Sequence, residues 1–182
     1  MLYPFELRER ITRIFDAFPK GSRPNDFQDP SHSLRFCESA AYVAGMTIRE
    51  KQDALVARYS IIEDAQERLA AIVARGRKWP GVGDLEKCDE HRVRGCVSQV
   101  WLVGAMDGAR CRFQMSADSP LVQGLAALVC ELYDGGGADE IVAVESRLIE
   151  ALGLDRQISP TRLNGLANIH RTIREFAAAH SA

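Results

Sequence analysis

VSQVWLVGAMDGARCRFQMSADSP, residues 97–120, is the stretch that decides the fold class. Residues 97–105 and 110–115 are short runs carrying β-branched and aromatic side chains. Asp107-Gly108 stands between them, the strongest two-residue hairpin signal a sequence offers. An antiparallel pair follows, and residues 92–94 just before Gly95 add a third short strand in this reading. After Asp118 the apolar period changes from two to 3.6. Asp118 or Ser119 can cap a helix, Pro120 suits its first turn, and Leu121, Leu125, Leu128 and Leu132 recur at four and three. Gly135, Gly136 and Gly137 stop it.

Working outward, residues 138–152 read as one further helix closed by Gly153. Ser159-Pro160 opens a last helix bearing Leu163, Leu166, Ile169, Ile173 and Phe176. Upstream, a helix is expected over 49–59. A second begins at Asp64, with Glu67 three residues on, turns Leu69, Ile72 and Val73 inward and stops at Gly76. Residues 77–90, with Pro80, Gly81 and Gly83, are a loop. Helices, a small antiparallel sheet of three strands, then helices: this order is an α+β architecture with the sheet flanked by helices.

Residues 1–45 have a different character. Positions 4–18 form an amphipathic pattern, with Leu7, Ile11, Ile14, Phe15 and Phe18 on one stripe. The segment 19–33 holds Pro19, Pro24 and Pro30 among polar residues, which is linker composition. A short apolar helix is expected over 34–44. Met46 would itself make a natural start, so residues 1–45 are read as an extension or a misplaced translation start.

Composition narrows the function. The 182 residues are 46% hydrophobic and 26% charged, which is globular rather than disordered. With 23 basic against 25 acidic residues the net charge is -2, giving no electrostatic case for nucleic acid or an anionic membrane. The longest apolar run, near Leu125 to Cys130, is far short of the roughly 20 residues that span a bilayer. The N-terminus up to Met46 balances six Lys/Arg with six Asp/Glu, unlike a secretory or transit sequence. The expected compartment is cytoplasmic. Five cysteines, Cys37, Cys88, Cys96, Cys111 and Cys130, are an odd number in a chain large enough to fold without disulfides, which fits free thiols.

Among them Cys96 has the most chemical setting. It follows Gly95 at a loop-to-strand boundary, where backbone can approach a partner. The neighbouring charges of Arg92 and Arg94 would favour a thiolate of depressed pKa. The same position equally suits a small buried hydrophobe. Ser98 can hydrogen-bond within this loop, and Trp101 is expected in the core. Cys88-x-x-His91-x4-Cys96, with Cys111 as a fourth ligand, has a spacing that zinc could use, but no C-x-x-C pair supports it. Cys111 and Cys130 otherwise read as packing residues.

Three separated stretches, GCVSQVW from Gly95, SADSPLVQGL from Ser116 and ISPTRLNGL from Ile158, together resemble the SufE family of cysteine desulfuration proteins, which includes the CsdE proteins. The likeness runs over about residues 49–180 and divides the chain into the extension, 1–45, and a SufE-like sulfur acceptor domain, 46–182. The resemblance implies the fold shared with the IscU-type scaffold. It also implies a sulfur acceptor for a PLP-dependent cysteine desulfurase of the SufS or CsdA type, which stimulates that enzyme and delivers sulfur to a SufBCD-type complex for iron-sulfur cluster assembly. Cys96 then matches the family's persulfide acceptor. Gly95, Ser98, Asp118 and Arg162 fall within its motifs, and Arg92 and Arg94 flank the acceptor. PTR replaces the PSR common in the family around Arg162. No cofactor or metal is implied on this chain, because the PLP belongs to the desulfurase and turnover is the partner's. The alternative is an iron-sulfur or zinc scaffold on the same fold, which would need several converging ligands.

Overall fold

A computed structural model describes residues 45–181 of the chain. The helices expected over 4–18 and 34–44, the linker between them and Cys37 lie outside the described residues.

The first described helix, α1 (Ile48–Ser60), is opened by a reciprocal capping box. Thr47 Oγ1 accepts from the Glu50 amide, and the Glu50 carboxylate accepts from the Thr47 amide at 2.7 Å. It buries Ile48, Leu55 and Tyr59 together with two polar side chains, Lys51 and Gln52. Each of those has a distant backbone partner. Lys51 Nζ donates to the Asp134 carbonyl at 2.6 Å, and Gln52 Oε1 accepts from the Arg147 amide at 2.7 Å. Helix α2 (Ala65–Gly76) starts at Asp64, whose carboxylate accepts from the Gln66 and Glu67 amides, the start read from the sequence.

Strands β1 (Val100–Asp107) and β2 (Arg110–Ala117) pair antiparallel from Val100 opposite Ala117 to Asp107 opposite Arg110, around the expected hairpin turn. Alternation sends Val100 and Leu102 with Cys111, Phe113 and Met115 to the covered face. Helix α3 (Pro120–Tyr133) packs on β2 and on α2. It is buried on nearly every side, which is why its sequence is apolar beyond one stripe. Its closest approach to α2 is at Gly124, where a Cβ would stand 2.5 Å from Val73 Cα. Glu131 of α3 ties down both Arg58 and Arg75 at 2.9 Å. Short helices α4 (Ala138–Ala143) and α5 (Leu148–Ala151) lead to the long α6 (Pro160–Ala178). The Phe176 ring of α6 meets Phe113 of the sheet edge-on at 5.6 Å.

Four expectations are corrected. The sheet has two strands, not three. Arg92 makes one isolated bridge to Trp101, and after the bonds Val93 N–H to Val100 O and Leu102 N–H to His91 O the chain turns away at Gly95, φ 78°. That conformation is costly for any residue with a Cβ, and it ends the ladder before a strand can form. The single helix over 138–152 is two. At Val144 the backbone is extended, and the amides freed by the break are met by Gln52 from α1 and by Ser146 Oγ, which accepts from Leu148. Neither Asp118 nor Ser119 caps α3 with its side chain. Ser119 is the N-cap without a side-chain bond, while the exposed Asp118 uses only its amide, to the Gln99 carbonyl at 3.1 Å. Trp101 is half-buried rather than a core residue. No described helix is long and apolar enough to cross a membrane.

Candidate functional site

Gly95 turns the chain away after the contacts that residues 91–93 make with β1, five positions before that strand begins, and Cys96 is the next residue. The turn lays the Cys96 side chain against the first two turns of α6. The Cys96 thiol donates to the Gly165 carbonyl at 3.4 Å. That approach depends on the absence of a side chain at Gly165, where a Cβ would stand 3.3 Å from Cys96 Sγ. One turn further along α6, Asn168 sits against Gly95.

Beside the thiol opens a groove of about 240 Å³. Its floor is apolar, formed by Val122 and Leu125 of α3 and Leu166 of α6, and its rim is polar, formed by Ser98, Thr161 and Arg162. Cys96 is half-buried, yet Val97 beside it is 80% exposed, an apolar side chain held out in water next to the thiol. The arrangement sets one half-buried thiol beside a partly open groove with an apolar floor.

The sequence residues divide accordingly. Cys96, Ser98 and Arg162 meet at the groove. The Ser98 hydroxyl makes no hydrogen bond in the loop among the described residues, so it lines the site rather than bracing it. Arg92 and Arg94 are exposed, and Arg92 lies 3.9 Å from Asp89. Neither arginine depresses the thiol. Burial pushes the Cys96 pKa above its ordinary value, the opposite direction to the one read from the flanking charges. Asp118 is exposed at the foot of α3, outside the groove. Sequence reasoning missed Gly165 and Asn168. Both lie on the helix stripe that continues Arg162 at intervals of three, a signal visible only once that face is known to cover Cys96.

The zinc spacing does not assemble. Cys88 Sγ is exposed and 3.7 Å from His91 Nδ1, but that nitrogen also lies 2.8 Å from the Glu86 carbonyl oxygen. Cys111 is buried in the sheet, its thiol donating to Met106 Sδ at 3.7 Å. Among the described residues no three His, Cys, Asp or Glu side chains converge as metal ligands. Cys130 is fully buried in α3, and burial raises its pKa strongly, so it is an inert packing thiol.

Known proteins are similar to this chain in sequence and in fold. The family described as SufE, Fe-S metabolism associated domain, matches residues 53–177. An uncharacterised SufE-like protein of Rhizobium etli is 30% identical over 135 residues, covering 71% of this chain and 91% of its own length. Another from a Synechocystis strain is 30% identical over 137 residues, covering 75% of this chain and 86% of that one. A hypothetical protein from Thermus thermophilus, solved in solution, has the same fold with a TM-score of 0.61. It is 17% identical, and the match covers 71% of this chain and 95% of that one.

Proposed function

This chain belongs to the SufE family, whose domain is associated with Fe-S metabolism, and on that premise we propose that it is a sulfur acceptor for a PLP-dependent cysteine desulfurase, with Cys96 as the acceptor. The step needs only the thiol. Deprotonated Cys96 attacks the outer sulfur of the desulfurase persulfide, the partner's S–S bond breaks, its cysteine leaves as thiolate and regains the proton, and Cys96 carries a persulfide. No net oxidation occurs. The carrier then passes its sulfane sulfur to a SufBCD-type assembly, and by removing product it stimulates the desulfurase. Both proteins would be cytoplasmic.

One observation carries this reading: a single half-buried thiol beside an apolar groove, open on one side and flanked by an exposed valine. Burial with a raised pKa suits a carrier, because a neutral thiol is idle toward stray electrophiles until a partner docks. The groove has room for a second sulfur about 2 Å beyond the first. Arg162, Ser98 and Val97 belong to the docking rim in this proposal, with Arg92, Arg94 and Asp118 at its periphery.

The test is intact mass under non-reducing conditions after incubation with free cysteine and a catalytic amount of a SufS-type desulfurase. A gain of one sulfur atom, removed by reductant and absent from Cys96→Ser, is the expected result. An unchanged mass, with the desulfurase shown active, overturns the assignment.

A further inference from the structure

Helix α6 touches the acceptor loop at two points one turn apart. The first is Gly165, whose carbonyl takes the thiol proton of Cys96 in a hydrogen bond. The second is Asn168, whose carboxamide fills the space a side chain at Gly95 would occupy: a Cβ there would stand 2.5 Å from Asn168 Nδ2 and 3.5 Å from its Cγ. The orientation of that carboxamide is fixed from the other side. Arg171 Nη2 donates to Asn168 Oδ1 at 2.7 Å, which turns the oxygen toward the arginine and leaves the amide nitrogen against Gly95. Glu175 Oε1 lies 3.9 Å from Arg171 Nε, both side chains exposed, and the Asn168 carbonyl accepts from Thr172 Oγ1 at 3.0 Å. Gly95 itself holds a left-handed conformation, φ 78°.

We infer that Asn168 is a positioning residue that sets how far the Cys96 thiol is withdrawn into its groove, by pressing on Gly95 through a carboxamide oriented by Arg171. This rests on the reading of Cys96 as the acceptor. Its mechanical content is separate, since it concerns the resting position of the loop. The contact acts through shape. The loop leaves the sheet at Gly95 and meets α6 again at Cys96, so the residue packed on Gly95 controls the direction in which Cys96 is launched. Removing the carboxamide opens a gap beneath Gly95, and the loop gains positions in which the thiol leaves the Gly165 carbonyl.

The experiment is peptide-mapped alkylation by iodoacetamide of the full chain and its variants, with exposed Cys88 as internal reference and a melting curve for each. Asn168→Ala should speed Cys96 alkylation about fivefold while leaving Cys88 and the melting temperature unchanged. Asn168→Leu, which restores the branched shape, should return Cys96 to the parent rate, a rescue that general loosening would not produce. Arg171→Ala should move Cys96 in the same direction as Asn168→Ala but less. An unchanged Cys96 rate in Asn168→Ala overturns the inference, as does acceleration at Cys88 and Cys96 together with a lowered melting temperature. Sulfur uptake from a desulfurase, measured on the unmutated chain, tests the acceptor reading alone, so the two can fail separately.

Discussion

Gly165→Ala isolates the contact between thiol and helix. The added methyl would stand 3.3 Å from Cys96 Sγ and 3.8 Å from Cys96 Cβ. Comfortable non-bonded separations are about 3.5–4.0 Å, so the thiol must retreat by roughly 0.5 Å. It can do so, being the end of a side chain on a loop with solvent beyond. The strain is therefore under about 1 kcal/mol, while alanine in a helix interior is favoured over glycine by about 1 kcal/mol. Stability should be unchanged or slightly raised, and Cys96, displaced from the Gly165 carbonyl and toward water, should alkylate about threefold faster. A persulfide formed on it should also lose its outer sulfur to reductant sooner, because the groove is shallower. Gly124→Ala supplies the contrast. It carries the same helix-propensity gain, but its methyl would meet Val73 Cα at 2.5 Å, and backbone cannot yield without parting α2 from α3 by about 1 Å. Overpacking of about 1–3 kcal/mol then wins, and the melting temperature should fall by roughly 5 °C. Calorimetry and mapped alkylation of both variants decide the matter. A Gly165→Ala protein with the parent alkylation rate, or a Gly124→Ala protein that melts higher than the parent, would refute the reasoning.

Three further outcomes follow from the same structure. The midpoint of Cys96 alkylation against pH should lie above that of a peptide spanning residues 92–100, since burial disfavours the thiolate; a midpoint below the peptide's would contradict it. His170, against Tyr133 at 5.7 Å, is held neutral by burial and by Arg174, with its pKa pushed down to about 4. The unfolded chain takes up that proton near pH 6.5 and the folded chain only near 4. This contribution is therefore complete above pH 6.5 and is lost as pH falls toward 4, by up to roughly 3 kcal/mol. Urea midpoints at about pH 7 and about pH 4.5 should differ less in His170→Gln than in the parent, and equal differences would count against it. Asp134→Ala removes the acceptor of the Phe113 amide at 2.9 Å and the partner of Arg112 at 3.1 Å. A part-buried donor left bare costs about 1–3 kcal/mol, read as a lowered urea midpoint, and an unchanged midpoint would show that solvent satisfies the amide.

Much of this molecule is legible in its sequence, because the relevant interactions are between neighbours in the chain. Asp107-Gly108 dictates a tight antiparallel turn through local backbone geometry, and the hairpin is there. Asp64 announces α2 because its carboxylate reaches amides two and three residues on. The motif around Cys96 singled out one thiol of five, and the family to which the chain belongs is the one those motifs resemble. What sequence reading got wrong shares a different cause. The third strand stops at one bridge, and Gly95 just after it adopts a left-handed conformation with Asn168, more than seventy positions downstream, packed against it. The helix over 138–152 is interrupted at Val144, and the Arg147 amide beyond the break finds its acceptor in Gln52, some ninety positions earlier. The flanking arginines suggested a depressed thiol pKa, yet they stand in water while α6, nearly seventy positions downstream, covers the sulfur. Turn type, capping and helical period depend on atoms within a few residues and are written locally. Desolvation, and with it the direction in which the Cys96 pKa moves, depends on which distant segment lies over a side chain, and only the tertiary structure decides that.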